Sequence, residues 1–238
     1  MPIIKRKHSS LNGIKTVAIL ADPACRSGWE RNFPKLLKKV RTVYAPDVFL
    51  VAGDLALNAY DHEYKTVLKY IEAGENELWA AVPGDHDRPL KYFRKYFGSI
   101  RKVLDIGQWR FIGVNTSNRM FLKREADWIQ DNIEENTVIF SHVPPEASGW
   151  TFHSLWPISS GHFLEVIKKY QKQIKAMFFG HIHGYSRKKV FDIPLIVTGS
   201  AAESKIIKNN KYNGLTSLKM VIFDVETGKM SICALGVR

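Results

Sequence analysis

DVFLVAGD, residues 47–54, runs five apolar residues into a glycine and an acid. A short continuous apolar run bounded by turn residues reads as a buried strand. The same pattern occurs in KTVAILAD (15–22) and ELWAAVPGD (77–85), so that Asp22, Asp54 and Asp85 end three runs at intervals of 32 and 31 residues. That interval accommodates a strand, a helix and the next strand. The intervening segments WERNFPKLLKKVRTVY (29–44) and YDHEYKTVLKYIEAG (60–74) place apolar residues at helical spacing. A βαβαβ opening with a parallel sheet is expected. Ligands of open α/β sheets sit beyond the carboxyl ends of the strands, so the three acids should meet in one crevice. Any one of them could instead be a helix cap. Three in succession favour a shared site, because a carboxylate at the end of a buried strand needs a partner.

Farther along, RKVLDI (101–106) and WRFIGVNTS (109–117) read as a strand pair about the turn at Gly107 and Gln108. KREADWIQDNIEEN (123–136) and SGHFLEVIKKYQK (160–172) read as helices, while TVIFSH (137–142) and IKAMFFGHIHG (174–184) read as buried strands. No helical pattern follows Gln173, which predicts a second, mostly antiparallel sheet. Its strands would come from residues 187–200 and 216–236, with a hairpin at VETGK (225–229). Residues 203–214 read as a surface loop, and residues 1–13 as a basic arm. The 238 residues are expected to form a single domain, 1–238.

The balance of 35 Lys and Arg against 23 Asp and Glu gives a net charge of +12, a field that attracts anions. A solvated basic surface is the ordinary reading of that excess. No apolar run approaches the roughly 18 residues of a membrane span, and the N-terminus lacks the apolar core of a secretory signal. Cys25 and Cys233 have no disulfide or metal-ligand spacing, so a reducing cytoplasm is expected. Phosphate-loop, dinucleotide-binding and H-E-x-x-H signatures are absent, which removes nucleotide motors, dinucleotide oxidoreductases and zincin proteases.

Four of the eight histidines, His86, His142, His181 and His183, stand at the ends of apolar strands. Carboxylates together with imidazoles are the donor set of two-metal hydrolytic sites. The ordered fragments Asp22-Pro23-Ala24, Gly53-Asp54, Gly84-Asp85-His86-Asp87, His142 and Gly180-His181-Ile182-His183 resemble the calcineurin-like metallophosphoesterases. The resemblance covers residues 22–183. It implies fold class α/β (α+β), a four-layer αββα sandwich of two mixed β-sheets flanked by helices.

It further implies a metal-dependent phosphoric ester hydrolase, acting on monoesters or diesters through in-line attack by a hydroxide held between two divalent cations. Asp54 would bridge the metals, the first also held by Asp22 and His183 and the second by Asp85, His142 and His181. Mn²⁺ is the expected ion, and the donor set also accepts Fe or Zn²⁺. His86 would protonate the leaving oxygen or stabilise the transition state, oriented by Asp87. The substrate partner is an anionic phosphoester; nothing in the sequence selects nucleic acid or phospholipid.

Two positions depart from the family pattern. Ala24 replaces a histidine ligand, and Asp85 replaces an asparagine. The first metal is therefore expected to bind weakly and to be partly occupied. The rival reading is a catalytically weak or inactive binding or scaffold protein that keeps the fold with a degenerate first site. Arg88 could reach a substrate phosphate. The aromatic segment at 150–162 reads as a lid or as core, with His153 and His162 as substrate contacts in the first case. RPLKYFRKYFGSIRK (88–102) reads as a helix packing its aromatic face on the sheet.

Overall fold

In the first sheet, neighbouring side chains point to opposite sides, and both sides are buried. The computed structural model describes residues 16–25, 32–74, 77–146, 153–202, 217–224 and 229–236. Strands β1 (Val17–Leu20), β2 (Val48–Ala52) and β3 (Leu78–Val82) pair in parallel in that order. Helices α1 (Asn32–Tyr44) and α2 (Asp61–Glu72) connect them, as the spacing of the three acids predicts. Ala18, Leu20, Phe49, Val51, Trp79 and Ala81 face those helices. Val17, Ile19, Val48, Leu50, Leu78, Ala80 and Val82 face the second sheet. The two-residue period of a strand produces this division, and burial on both faces explains why the runs show no polar alternation. Phe49 and Trp79 are register partners whose rings stack at 4.2 Å.

The second sheet has six strands: β4 (Lys102–Ile106), β5 (Trp109–Val114), β6 (Thr137–Ser141), β7 (Ile174–Phe179), β9 (Ile193–Thr198) and β8 (Tyr185–Val190), in that spatial order. It corrects the expectation of a mostly antiparallel second sheet. Strands β5, β6, β7 and β9 run parallel, and only the edge strands β4 and β8 are antiparallel to their neighbours. The reason is that α4 (Lys123–Asn132) and α5 (Pro157–Lys169) are crossovers within this sheet, so strands before and after Gln173 belong to the same layer. Leu104, Phe111, Val138, Phe140, Phe178 and Ile196 fill the space between the sheets. On the far side, Ile112, Ile139, Met177 and Phe179 pack with Ile129, Phe163 and Ile167 of α4 and α5.

The result is the expected four-layer αββα sandwich. The antiparallel pair β10 (Ser217–Asp224) and β11 (Lys229–Gly236) lies with β10 beside β1. The basic arm, the loop at 203–214 and the turn at 225–228 lie outside the described residues. No described helix is long and apolar enough to cross a membrane.

Helix α3 (Lys91–Phe97) buries Phe93 and Phe97 against the first sheet's outer core. Lys95 lies over the rings of Tyr92 and Tyr96, at 5.6 and 4.8 Å from their centroids. The aromatic stretch is therefore a core helix with a basic outer face. Beyond it, the Lys102 side chain is buried and its ammonium donates to the Phe97 carbonyl at 2.7 Å, ending α3 against β4. Burial lowers its pKa to about 8. Between pH 8 and the ordinary lysine value the unfolded chain holds more protons than the folded one, so folding stability contributed at this site rises with pH. Urea unfolding of the parent and Lys102→Met should show the difference shifting in the parent's favour across that window, with no such shift below pH 7.

Candidate metal centre

All three acids reach the centre from the first sheet and all three imidazoles from the second. Asp22, Asp54 and Asp85 follow β1, β2 and β3, whereas His142 follows β6 and His181 and His183 follow β7. Asp22 and Asp54 have φ of 55°, His181 69° and His183 56°. Left-handed backbone at a residue other than glycine costs on the order of 1–3 kcal/mol and persists only where surrounding bonds over-determine it. Those bonds are present. Asp22 N–H donates to Gly53 C=O (3.0 Å), Ala24 N–H to Asp54 C=O (2.7 Å), Gly180 N–H to His142 C=O (3.0 Å), and Ser200 Oγ to Asp22 C=O (3.1 Å).

Two motif glycines are explained by close approach. A Cβ on Gly53, whose φ is 88°, would overlap the His142 ring, and one on Gly84 would overlap the Asp54 carboxylate. Each glycine makes room for a donor that arrives from another strand.

Two triads bring their donor atoms within 4.8 Å of one another: Asp22, Asp54 and His183, and Asp85, His142 and His181. His142 Nε2 lies 2.8 Å from Asp85 Oδ1 and 3.3 Å from Asp54 Oδ2, so Asp54 adjoins both groups. His181 Nδ1 is 2.9 Å from Asp85 Oδ1, and His183 Nε2 is 3.6 Å from Asp22 Oδ1. The Ala52 carbonyl, which can only accept, takes the Nδ1 proton of His142 at 2.8 Å and turns Nε2 toward the carboxylates. His181 N–H donates to both oxygens of Asp22, and His86 N–H donates to Asp54 Oδ1 at 2.9 Å.

The electrostatics call for positive charge. Burial pushes the Asp22 carboxyl well above the carboxylate range, with His142 pulling it down and Asp54 adding to the rise. Burial also acts to raise Asp85, but hydrogen bonds from His142 and His181 outweigh it and hold the group well below its ordinary value. Burial acts to lower His142, yet Asp54, Asp85 and Asp22 drive it well above. Among the described residues no lysine or arginine pairs with any of the three acids. Hard oxygens and imidazole nitrogens crowded together without a lysine or arginine among them fit divalent cations, and the six residues are those the sequence singles out.

Asp87 does not orient His86. Its buried carboxylate accepts the amides of Gly84 (2.8 Å), Ala56 (3.0 Å) and Leu55 (3.2 Å) and the Tyr64 hydroxyl (2.8 Å). Four donors from the chain leave no geometry for the ring. Burial and the charge of Asp54 raise this carboxyl to about 6 against the pull of those donors. Asp87 thus ties the turn after β2 to the turn after β3, fixing Asp54 relative to Asp85. The Leu57 carbonyl holds His86 instead, 2.8 Å from Nδ1.

Sequence reasoning misses Tyr64, which sits on the apolar face of α2, and Leu57, whose contribution is a main-chain oxygen. Exposed His153 places its ring 5.9 Å from that of His181. His162 is not brought to the site; it lines a groove of about 510 Å³ between α4 and α5 with Met120, Phe121 and Ile158. Arg88 donates from Nη1 to Ser117 Oγ at 3.2 Å. Residues 150–152 of the aromatic segment lie outside the described residues.

A two-sheet sandwich that gathers three acids and three imidazoles at its strand ends defines a metallophosphoesterase scaffold. The family model for calcineurin-like phosphoesterases matches residues 15–185, and the chain belongs to that family. It is 29% identical over 160 residues to a 3',5'-cyclic-nucleotide phosphodiesterase of Nostoc sp. (strain PCC 7120), a match covering 60% of this chain and 58% of the relative. The fold is similar to that of a dimetal phosphatase from Danio rerio (TM-score 0.67, 13% identity, 94% of this chain and 99% of that one). It is also similar to the anchor in the inner membrane complex of Plasmodium (TM-score 0.65, 12% identity, 94% and 89%).

Gly84→Ala should displace Asp54 and reduce bound metal at least twofold, measured by elemental analysis after dialysis. Gly161→Ala in α5, where a Cβ meets nothing within 4 Å, should leave metal content unchanged and stabilise the helix by about 1 kcal/mol.

Proposed function

We propose that this chain is a metal-dependent phosphoric ester hydrolase. The observation that carries the reading is the pair of adjoining donor triads, with Asp54 between them. Asp22, Asp54 and His183 would hold one divalent cation, and Asp54, Asp85, His142 and His181 the other, with Mn²⁺ the expected ion. Two such cations, when bound, polarise phosphoryl oxygens and bring the pKa of water toward neutrality.

The remaining chemistry belongs to the chain. His86 is exposed beside the cluster, and its Nδ1 proton is committed to the Leu57 carbonyl. Nε2 is left to donate to the leaving oxygen when the ring is protonated. Among the described residues, exposed His86 and His153 stand beside the cluster, His86 through its main-chain N–H to Asp54 and His153 with its ring 5.9 Å from that of His181.

The two cation sites are unequal. Ala24 is half-buried with φ of 42°, and its methyl group offers no donor. The Asp22 site therefore has three protein donors, and the Asp85 site has four including an extra carboxylate. That inequality is also what favours the second reading, a binding protein with a weakened site.

The two readings separate on p-nitrophenyl phosphate and bis-p-nitrophenyl phosphate with Mn²⁺ and other divalent cations. Turnover is expected, and a protein that binds no metal and cleaves neither ester would overturn the hydrolase reading. His86→Ala should lower turnover by about 100-fold or more while keeping its metal. Loss of metal together with turnover would place His86 among the ligands instead. Ala24→His should raise the metal bound per chain toward two, whereas an unchanged stoichiometry would refute the count of donors.

A further inference from the structure

The four donors to the Asp87 carboxylate are of two kinds. Three are amides of the turns that this carboxylate joins: Leu55 and Ala56 follow Asp54, and Gly84 precedes Asp85. The fourth is the Tyr64 hydroxyl, and among the described residues it is the one donor from outside those turns. The bonds are shared evenly. Oδ2 takes Gly84 and Leu55, and Oδ1 takes Ala56 and Tyr64.

Amides that belong to the turns move with them, so they cannot fix the turns relative to the rest of the fold. Helix α2 can. Its Tyr64, Val67 and Ile71 are buried in the outer core of the first sheet, and Tyr64 is 0% exposed. The ring of Tyr64 lies 5.9 Å from that of Tyr96 and 6.3 Å from that of Phe97, a packing role that phenylalanine would fill as well. Packing does not account for the hydroxyl, which is costly to bury unless it is bonded. Burial first, and then the charge of Asp87, push its pKa well above the ordinary tyrosine value, so it stays a donor at neutral pH.

The bonds lead from this hydroxyl to the centre. Asp87 holds the two residues after Asp54 and the residue before Asp85. The Gly84 backbone lies against the Asp54 carboxylate, and His86 N–H donates to Asp54 Oδ1 at 2.9 Å. A shift of Asp87 therefore moves two of the three acids. Asp22 depends on other bonds, to Gly53, Ser200 and the His181 amide.

We propose that Tyr64 is a positioning residue of the metal centre: by holding Asp87 it sets the separation of Asp54 and Asp85, and with it the affinity of the chain for divalent cations. The proposal rests on the metal-dependent reading above and deepens it by giving a role to a residue that touches neither cation nor substrate.

The test uses the full chain, freed of metal by a chelator and dialysis and then titrated calorimetrically with Mn²⁺ and with Zn²⁺. Melting temperatures of the metal-free chains are measured in parallel, and all titrations are run below the lowest of them. Tyr64→Phe keeps the ring and deletes only the oxygen. It should weaken cation binding by about 10- to 100-fold, the range for a residue that orients a metal ligand. Cleavage of the p-nitrophenyl esters by this variant should fall at low Mn²⁺ and return as the ion is raised. Tyr96→Phe deletes a neighbouring hydroxyl that donates to Asp61 at 2.6 Å and does not reach Asp87. It should lower the melting temperature yet bind both cations as the parent does. In the Asp87→Ala chain, Tyr64→Phe should cost no further affinity, because the hydroxyl acts through the carboxylate. If Asp87→Ala does not fold, the contrast between the two tyrosine variants decides.

Parent-like cation binding by Tyr64→Phe, or an equal loss in Tyr64→Phe and Tyr96→Phe, overturns the positioning role. If the parent cleaves neither ester but its cation binding still depends on the Tyr64 hydroxyl, the hydrolase reading falls and the positioning role stands. If the esters are cleaved and Tyr64→Phe binds cations as the parent does, the positioning role falls alone. A parent that binds neither Mn²⁺ nor Zn²⁺ overturns both.

Discussion

Carboxylates at the ends of buried strands repel one another, and the shape of this site follows from that repulsion. Asp22 and Asp54 are almost wholly buried, and the donors that approach them are imidazoles and main-chain amides. Holding such groups together requires a backbone that cannot relax. The left-handed turns at Asp22, Asp54, His181 and His183, and the glycines that let another donor approach, are the means. Asp87 serves the same end from beneath, its carboxylate spent on three amides and the Tyr64 hydroxyl. Strain of this kind is ordinary at a binding centre, where a bound ion offsets the local cost.

The fold is largely legible in the sequence because its signals are regular. Apolar runs of strand length, separated by segments of helical spacing, are enough to define the first sheet and its crossovers. The donors are legible as well, since each stands where an apolar run stops. What the sequence conceals is of another kind. The direction of β5 to β9 depends on which layer α4 and α5 cover, and residue patterns do not record that. Asp87 reads as a partner for His86 because it is adjacent, but adjacency in a turn does not set where a side chain points. The residue that does hold His86, Leu57, acts through its carbonyl, and side-chain chemistry cannot announce a main-chain acceptor.

Ala24 and Asp85 act in opposite senses on neighbouring positions. One removes a neutral donor from the Asp22 side, and the other adds charge on the Asp85 side. In the proposed centre the two would shift cation binding from one side to the other while keeping the same scaffold of turns.

The division of donors between the sheets has a mechanical meaning. Every acid belongs to one half of the sandwich and every imidazole to the other, and the His142 to Ala52 hydrogen bond already crosses the seam. An ion seated there is a rivet through two plates. Its affinity is in part the affinity of the halves for each other, so that the same free energy that retains the ion also sets the spacing of the layers at their open edge.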